Sequence, residues 1–576
     1  MSENDQMSDT TWISVEEAAE RATISVASVR RRCAAGDYVC QKVGRSWLID
    51  ASSVPQQKQR AASPGTGASG AVDLVAALGH LLRRDLKDGP WAPDVLTFQD
   101  GLQDRDELFQ LTADKLDLVA DFDPPTIVPI PKSPLFVRQG TDLSLTDRLA
   151  YQAVVQEIET YCDPRLSDRS YASRTKDKST RYPVGRTQPW LNWKRDVHKA
   201  VSDCGGWMIK TDITAYFDFI EHRHLMILLQ EAGVPEVLLK PLREMLRTWA
   251  PTPNRGLPQG PDASRILANF YMVEIDEALT TIPDVEYFRF MDDIRIVSSS
   301  RAAATAALQQ LGNLAYKIGL PLSTQKTEAL GLDEALRDGV DSDLDAVAYT
   351  ISMGDFDDEG EEGVRSRLAT LFEKALPSEG SGKMDRRRAK FSLWRLFMRK
   401  EKRVLLSVLA NLESLGPLER LVPMYLSHWV SDPDISKEIA RYLQDTERNI
   451  SDYTASWLLA TVLHDPSNID PGILSYARKI AKDRNAVSYL RAVAINVISL
   501  SGRNADIDAI ERIIMAEYDP VIVRSSLVAL HRSKKLSKSI RERIKRRQGY
   551  LSVLTYLEGR EALPSLIFGS NQMIPR

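Results

Sequence analysis

The stretch Phe288–Ser300, Phe-Arg-Phe-Met-Asp-Asp-Ile-Arg-Ile-Val-Ser-Ser-Ser, constrains this chain more than any other. Apolar residues flank Asp292 and Asp293 on both sides, which predicts a β-hairpin with two carboxylates at its tip. Successive strand side chains point to opposite faces, so the two aspartates need not share one role. Carboxylates this close repel each other unless a cation lies between them, and a divalent metal bound through oxygen meets that need.

A lone Asp-Asp pair is more often an exposed acidic turn than a site. Three other stretches weigh against that reading. Trp207–Ile220 reads as a short strand ending at Asp212, then a turn. Gly256–Asp276 opens with Gly-Leu-Pro-Gln-Gly and runs into an apolar-periodic helix, and Ile318–Glu328 follows the hairpin. In this order the four stretches resemble the palm motifs of the reverse transcriptase family. The recognisable palm runs from about Trp207 to Leu332.

The resemblance implies that Asp212, Asp292 and Asp293 are catalytic carboxylates. Together with the backbone oxygen of Ile213 they would hold two Mg2+ ions, with Mn2+ as the alternative. Two-metal phosphoryl transfer activates the primer 3′-hydroxyl and neutralises the leaving pyrophosphate, so no acid–base histidine is required. The seven histidines are scattered, and His222 and His224 read as surface residues of a helix. By the same resemblance Lys132 and Arg138 hold the incoming triphosphate, as cations suited to a polyanion; ordinary surface charge is the competing reading. Phe217 matches the position that gates the sugar, and Gln259 the one that touches the incoming nucleotide or the templating base. Lys326 resembles the lysine near the leaving phosphate. Gly256 and Gly260 suit close backbone approach. Phe290 stands where the family usually has tyrosine, Tyr216 and Phe219 read as packing residues, and Arg174 as lining the template path.

Upstream, Ser14–Glu17 is a capping box opening a helix through Arg21. Ser25 caps a second helix, Val26–Ala35, and Tyr38–Ile49 reads as a two-stranded wing. This resembles an excisionase-type winged helix-turn-helix, with Arg30, Arg31 and Arg45 as candidates for contact with duplex DNA. A protein-interaction module with a solvated basic helix is the alternative. Residues 51–71 are rich in Ser, Gly, Pro, Gln and Ala and predict a flexible linker.

Downstream, the acidic run Gly354–Gly363 predicts a solvated loop, and nearly everything after it reads as helix. Lys383–Arg403 carries ten Lys/Arg against two acids. That suits a thumb gripping nucleic acid through phosphates, with Arg386, Arg387 and Arg388 as the contacts. The segments around Arg491 and Arg524 repeat at a spacing of 33 residues, which predicts an α-solenoid resembling HEAT repeats.

The expected fold is therefore multidomain α+β. A winged helix-turn-helix spans 1–50 and a linker 51–71; reverse transcriptase fingers and palm span 72–363, a basic helical thumb 364–410 and HEAT-like helices 411–576. Net charge is −4 and pI about 6.1, so nucleic acid must be held by local basic surfaces. Four scattered cysteines without zinc spacing, a polar N-terminus and no long apolar run predict a cytoplasmic protein with reduced thiols and no membrane partner. The expected activity is RNA-directed DNA synthesis from dNTPs on an RNA template or noncoding RNA. A palm joined to a helical C-terminal half resembles the bacterial defence-associated and abortive-infection reverse transcriptases. The alternatives are untemplated synthesis primed by the protein's own tyrosine (Tyr550 or Tyr556), a DNA-binding regulator with an inactive palm, and a retroelement mobility enzyme. Homo-oligomerisation stays open.

Overall fold

The computed structural model describes residues 12–15, 18, 33, 40–43 and 46–50, then 67–560 and 563 apart from 88–89, 119–121, 134, 178–179, 184–186, 353–356, 378–383, 419 and 548–549. The chain divides into two compact units, Met1–Ala71 and Val72–Arg576.

In the first unit, β1 (Trp12–Ile13), β2 (Cys40–Val43) and β3 (Ser46–Asp50) form an antiparallel sheet in the order β1-β3-β2. The Ala18 amide donates to the Ser14 carbonyl at 2.9 Å, closing a helical turn at the expected capping box. Val15, Ala18, Cys33 and Ile49 are buried. Arg30, Arg31 and Arg45 lie outside the described residues, as does 51–66. The end of the expected linker, Ala68–Ala71, is a 3-10 turn.

The second unit is built around a four-stranded antiparallel sheet in the order β11-β8-β10-β9, with β8 at Trp207–Asp212, β9 at Glu286–Phe290, β10 at Asp293–Ser298 and β11 at Glu328–Leu330. Two smaller ribbons precede it: β4 (Thr126–Pro131) with β5 (Val137–Asp142), and β6 (Thr175–Asp177) with β7 (Thr180–Pro183). Strand periodicity turns alternate residues of the main sheet inward, and the helix Thr187–Cys204 lays Trp193, Val197 and Val201 against Met208, Phe288 and Val297. The free edge of β9 is covered by Arg169–Tyr171: the Arg289 amide donates to Arg169 at 2.9 Å, and Tyr171 donates back to the Arg289 carbonyl at 3.0 Å.

From Asp358 onward the acidic run expected as a solvated loop is helical; 354–356 lie outside the described residues. The helix is Asp358–Ala375, with Asp357 as N-cap accepting from the Gly360 amide at 2.8 Å. Acids in a first helical turn are favoured by the exposed amides and the helix dipole, and this outweighs the turn-like glycines. The helix also crosses the boundary expected at 363.

Further on, helices Leu421–Leu426, Asp452–His464, Ser488–Ser499, Pro520–Arg532 and Leu551–Leu557 pack each on the next in one row. Helices Pro433–Gln444, Pro471–Lys482 and Asn504–Ala516 flank it. The row is the core of this half: Tyr489–Ser499 is buried on every side, as an all-round apolar helix must be. Among the described residues no helix is long and apolar enough to cross a membrane.

Candidate active site

Phe290 pairs directly with Asp293, so Met291 and Asp292 make a two-residue turn between β9 and β10. Met291 takes φ 57°, the left-handed conformation that glycine usually supplies at the first position of such a turn. Its side chain is buried, and its carbonyl accepts from Arg289 Nη1 at 3.1 Å. On the other side of β10 lies β8, with Asp212 directly opposite Asp293. The strand pairing alone thus gathers Asp212, Asp292 and Asp293 at one end of adjacent strands.

These carboxylates are short of positive charge. Burial, then the charges of Asp212 and Asp293, push Asp292 up to about 6. Burial also raises Asp293, against the pull of Arg295. The nearest compensation is Lys326, whose Nζ lies 2.7 Å from Asp212 Oδ2. Burial works against that ammonium, but its bond to Asp212 and the charges of all three aspartates raise its pKa. The chain after Asp212 is pinned by Ser323 donating to the Asp212 carbonyl at 2.7 Å and Thr214 donating to Pro321 at 2.9 Å. Those bonds flank Ile213 and do not use its carbonyl. Among the described residues no three acidic, histidine or cysteine side chains are gathered closely enough to hold a metal as they stand. An all-oxygen, repelling, half-neutralised set nevertheless has the chemistry of a hard-cation site.

Contacts link the nucleotide-binding candidates Lys132, Arg138, Phe217 and Gln259 through the turn after Asp212, the loop at Gly256–Gly260 and the β4–β5 ribbon. Ala215 at φ 47° turns the chain into the short helix Tyr216–Phe219. The Leu257 amide donates to the Phe217 carbonyl at 2.9 Å, and Gly256 donates to Ile220 at 2.8 Å. The same loop reaches β5: Thr141 donates to the Gln259 carbonyl at 2.8 Å. Lys132, exposed at the β4–β5 turn, is near enough to Asp218 to oppose the burial that raises that carboxyl. Arg138 lies 5.0 Å from the centre of the Trp91 ring, and the Trp91 indole donates to the Gln259 carbonyl at 2.8 Å. Gln259 Oε1 is shielded from solvent and has no hydrogen-bond partner. Tyr216 is buried with its hydroxyl on the Ala268 carbonyl, and Phe290 packs edge-on against Trp190 at 5.0 Å.

Several sequence expectations need correction. Gly256 stands at φ 97°, a conformational requirement. At Gly260 a Cβ would sit 2.5 Å from Trp91 Nε1, so this glycine makes room for an indole. The Arg174 guanidinium, expected to line a template path, is held by Asp163 at 2.9 Å and by the carbonyls of Ser167 and Ser170. Arg388 grips Asp341 with two bonds of 2.7 and 2.8 Å, and Arg387 donates to the Gly339 carbonyl at 2.6 Å. These arginines tie a helix to the preceding segment; Arg386, beside them, is exposed. His222 is half-buried and bonded to the Gly256 carbonyl at 2.7 Å, while His224 lies edge-on to Tyr271. Tyr550 and Tyr556 are buried, the latter with its hydroxyl on Gln99 Oε1 at 2.6 Å, so neither is placed to prime synthesis.

Sequence reasoning passed over Arg289. It is fully buried against Asp276, also fully buried, with Nε 2.7 Å from Asp276 Oδ1. Around it Tyr287, Asn269 and Ser170 complete a satisfied network that ends on the Met291 carbonyl. A buried charge is tolerable only when paired and hydrogen-bonded in this way. An arginine in the apolar run Phe-Arg-Phe was the available signal.

Residues 130–342 match the family model of reverse transcriptases, described as RNA-dependent DNA polymerases. A comparison with curated proteins finds no match. Among solved structures the chain is similar to the apo telomerase of Candida tropicalis, with 12% identity over 64% of this chain and 69% of that one and a TM-score of 0.31. It is also similar to the telomerase of Candida albicans in complex with a TWJ fragment of telomeric RNA, with 13% identity over 65% and 67% and a TM-score of 0.27. Those scores are too low to carry structural detail from one chain to the other. The matched span encloses β5, the paired aspartates and Lys326, and the chain therefore carries a reverse transcriptase domain, the catalytic domain of an RNA-directed DNA polymerase.

Proposed function

We propose that this domain makes DNA at Asp212, Asp292 and Asp293, and that it does so in bacterial antiphage defence. The observation that carries the chemistry is the register that sets Asp212 opposite Asp293, with Asp292 at the adjoining turn. Asp212, Asp292, Asp293 and the Ile213 carbonyl would hold Mg2+, for which this family has a general requirement. When bound, such ions lower the pKa of a primer hydroxyl and neutralise a leaving pyrophosphate.

The chain's own residues supply the rest. Lys132 and Arg138 offer charge to a triphosphate from the β4–β5 ribbon. Phe217 presents a ring where a 2′-hydroxyl would collide, discrimination by clash rather than by added attraction. Gln259 Oε1 is a buried acceptor that a nucleotide N–H or O–H would satisfy, and leaving it unpaired costs about 1–3 kcal/mol. Lys326 moves from Asp212 toward the departing phosphate. The template is RNA, and the dNTPs and the DNA product complete the set of ligands.

The defence role rests on the pairing of this domain with a C-terminal row of repeated helices, the arrangement that resembles the abortive-infection enzymes. A HEAT-like repeat is the reading of that row, and a winged helix-turn-helix contacting duplex DNA is the reading of the first unit. The test has two parts. Purified protein should extend a DNA primer on an RNA template with dNTPs and Mg2+, and Asp292→Asn should not. Cells expressing the wild type should resist phage that plate normally on cells expressing Asp292→Asn. Synthesis without protection leaves the polymerase and removes the defence role.

A further inference from the structure

Residues Trp91–Asp100 are held from two directions. On the polymerase side, Asp142 at the end of β5 accepts from the Trp91 and Ala92 amides at 2.8 and 2.9 Å. The Trp91 indole donates to the Gln259 carbonyl at 2.8 Å, and Arg138 lies over its ring. Two glycines form its slot: a Cβ at Gly140 would come within 2.8 Å of the ring, and one at Gly260 within 2.5 Å of Nε1. The indole has room for one orientation.

On the other side stand three helices of the C-terminal row, Asp452–His464, Pro520–Arg532 and Leu551–Leu557. Trp457 Nε1 donates to the Trp91 carbonyl at 3.0 Å. Arg524, its side chain 24% exposed, lies between Asp94 and Asp100 and pairs with both, with Nη2 2.6 Å from Asp100 Oδ1. Tyr556 donates to Gln99. One decapeptide therefore touches both the nucleotide-binding candidates and the helical row.

We propose that Trp91 is a positioning residue through which the docked helical row sets the nucleotide site. This rests on the assignment of Arg138 and Gln259 to that site. The Gln259 carbonyl accepts from Thr141 as well as from Trp91, so the two donors together fix the peptide plane between Gln259 and Gly260. The direction of the Gln259 side chain follows from that plane. Arg138 is oriented through the opposite contact, since a guanidinium over an indole gains cation–π attraction. Loosening the indole removes one restraint from each group, and a misplacement of about 1 Å is enough to weaken a reaction about a hundredfold in a pre-organised site.

The test uses the full chain with poly(rA)/oligo(dT), dTTP and Mg2+, and with mismatched dGTP. Trp91→Phe keeps the ring packing and removes the donor to Gln259. It should raise KM for dTTP roughly fivefold or more, the loss of about one hydrogen bond, while kcat changes less and misinsertion of dGTP rises. Trp457→Phe should move the same two quantities in the same direction by less, and the double variant should be less than additive. Trp249→Phe removes a buried indole bond, to the Asp123 carbonyl, elsewhere in the fold, and should leave KM unchanged. Calorimetric titration with dTTP and Mg2+ gives a second measure that needs no turnover, and there Trp91→Phe should weaken binding. A Trp91→Phe enzyme with the KM, misinsertion ratio and dTTP affinity of Trp249→Phe overturns the inference alone. A null effect of Trp457→Phe overturns the link to the helical row. A wild type that neither binds nor incorporates dTTP overturns this inference together with the nucleotide-site assignment beneath it.

Discussion

Lys326 places its ammonium 2.7 Å from Asp212 Oδ2, on an oxygen that a catalytic cation would claim. The lysine is more than half exposed, so the pair is worth roughly 0.5–1 kcal/mol after solvent screening. Lys326→Met should therefore tighten Mg2+ binding by roughly two- to fivefold while slowing nucleotide transfer. Calorimetry with Mg2+ and primer extension read the two effects separately. An unchanged Mg2+ affinity would mean that the lysine and the metal use different oxygens.

Asp292 is held against repulsion, and that has a stability signature. Its folded pKa of about 6 lies above the ordinary carboxylate value, so the ionised form is disfavoured in the fold. The cost is absent at low pH and develops as pH rises from about 4 through 6, where the unfolded chain binds fewer protons. Asp292→Asn should abolish synthesis and, in metal-free buffer above pH 7, stabilise the protein by roughly 1–3 kcal/mol. Below pH 4 the two proteins should melt alike. A destabilised variant at neutral pH would show that hydrogen bonding of the carboxylate outweighs repulsion.

Phe217 is half-buried beside Tyr216, their ring centres 5.8 Å apart, and its carbonyl is fixed by Leu257. Phe217→Ala should admit ribonucleotides, raising the rNTP-to-dNTP ratio of kcat/KM by roughly tenfold or more, with a smaller loss for dNTPs. A mutant that keeps the wild-type ratio makes Phe217 a packing residue only.

The Arg388–Asp341 pair is bidentate and partly buried, so it belongs to the fold rather than to a nucleic-acid grip. A double-mutant cycle of Arg388→Ala and Asp341→Ala in urea should give a coupling of about 1 kcal/mol. Arg388→Ala should leave the salt dependence of template binding unchanged. A flatter salt slope would return the arginine to the phosphates.

The hairpin and its carboxylates were legible because strand periodicity is local: Phe288 to Ser300 states its own alternation, and the partner strand ends at a recognisable Asp212. What the sequence hid was pairing at a distance. Arg386–Arg388 looked like a phosphate grip because composition does not disclose that Asp341, 47 residues upstream, already occupies Arg388. Arg289 and Arg524 disclosed no partner in the sequence for the same reason, although Arg289 is buried against Asp276 and Arg524 pairs with both Asp94 and Asp100. Asp357–Glu362 looked like a loop because acids and glycines favour turns, whereas an N-cap followed by acids also begins a helix. Trp91 carried no motif at all. Its role is defined by Gly140, Gly260, Gln259 and Trp457, none of them its neighbours in sequence.

The contacts of the Trp91–Asp100 segment also set a clock. Trp457 is 366 residues from Trp91, Arg524 is 424 from Asp100, and Tyr556 is 457 from Gln99. None can form until those helices have left the ribosome. At roughly 5–20 residues per second, some 20–80 s separate the emergence of β5 from that of Tyr556. For the later part of that interval the nascent chain already carries Asp212, Asp292 and Asp293, while the indole that orients Gln259 lacks its second anchor. Each newly made molecule thus passes through a period in which it holds the aspartates with a weaker grip on nucleotides, and the emergence of the helix that carries Tyr556 ends that period.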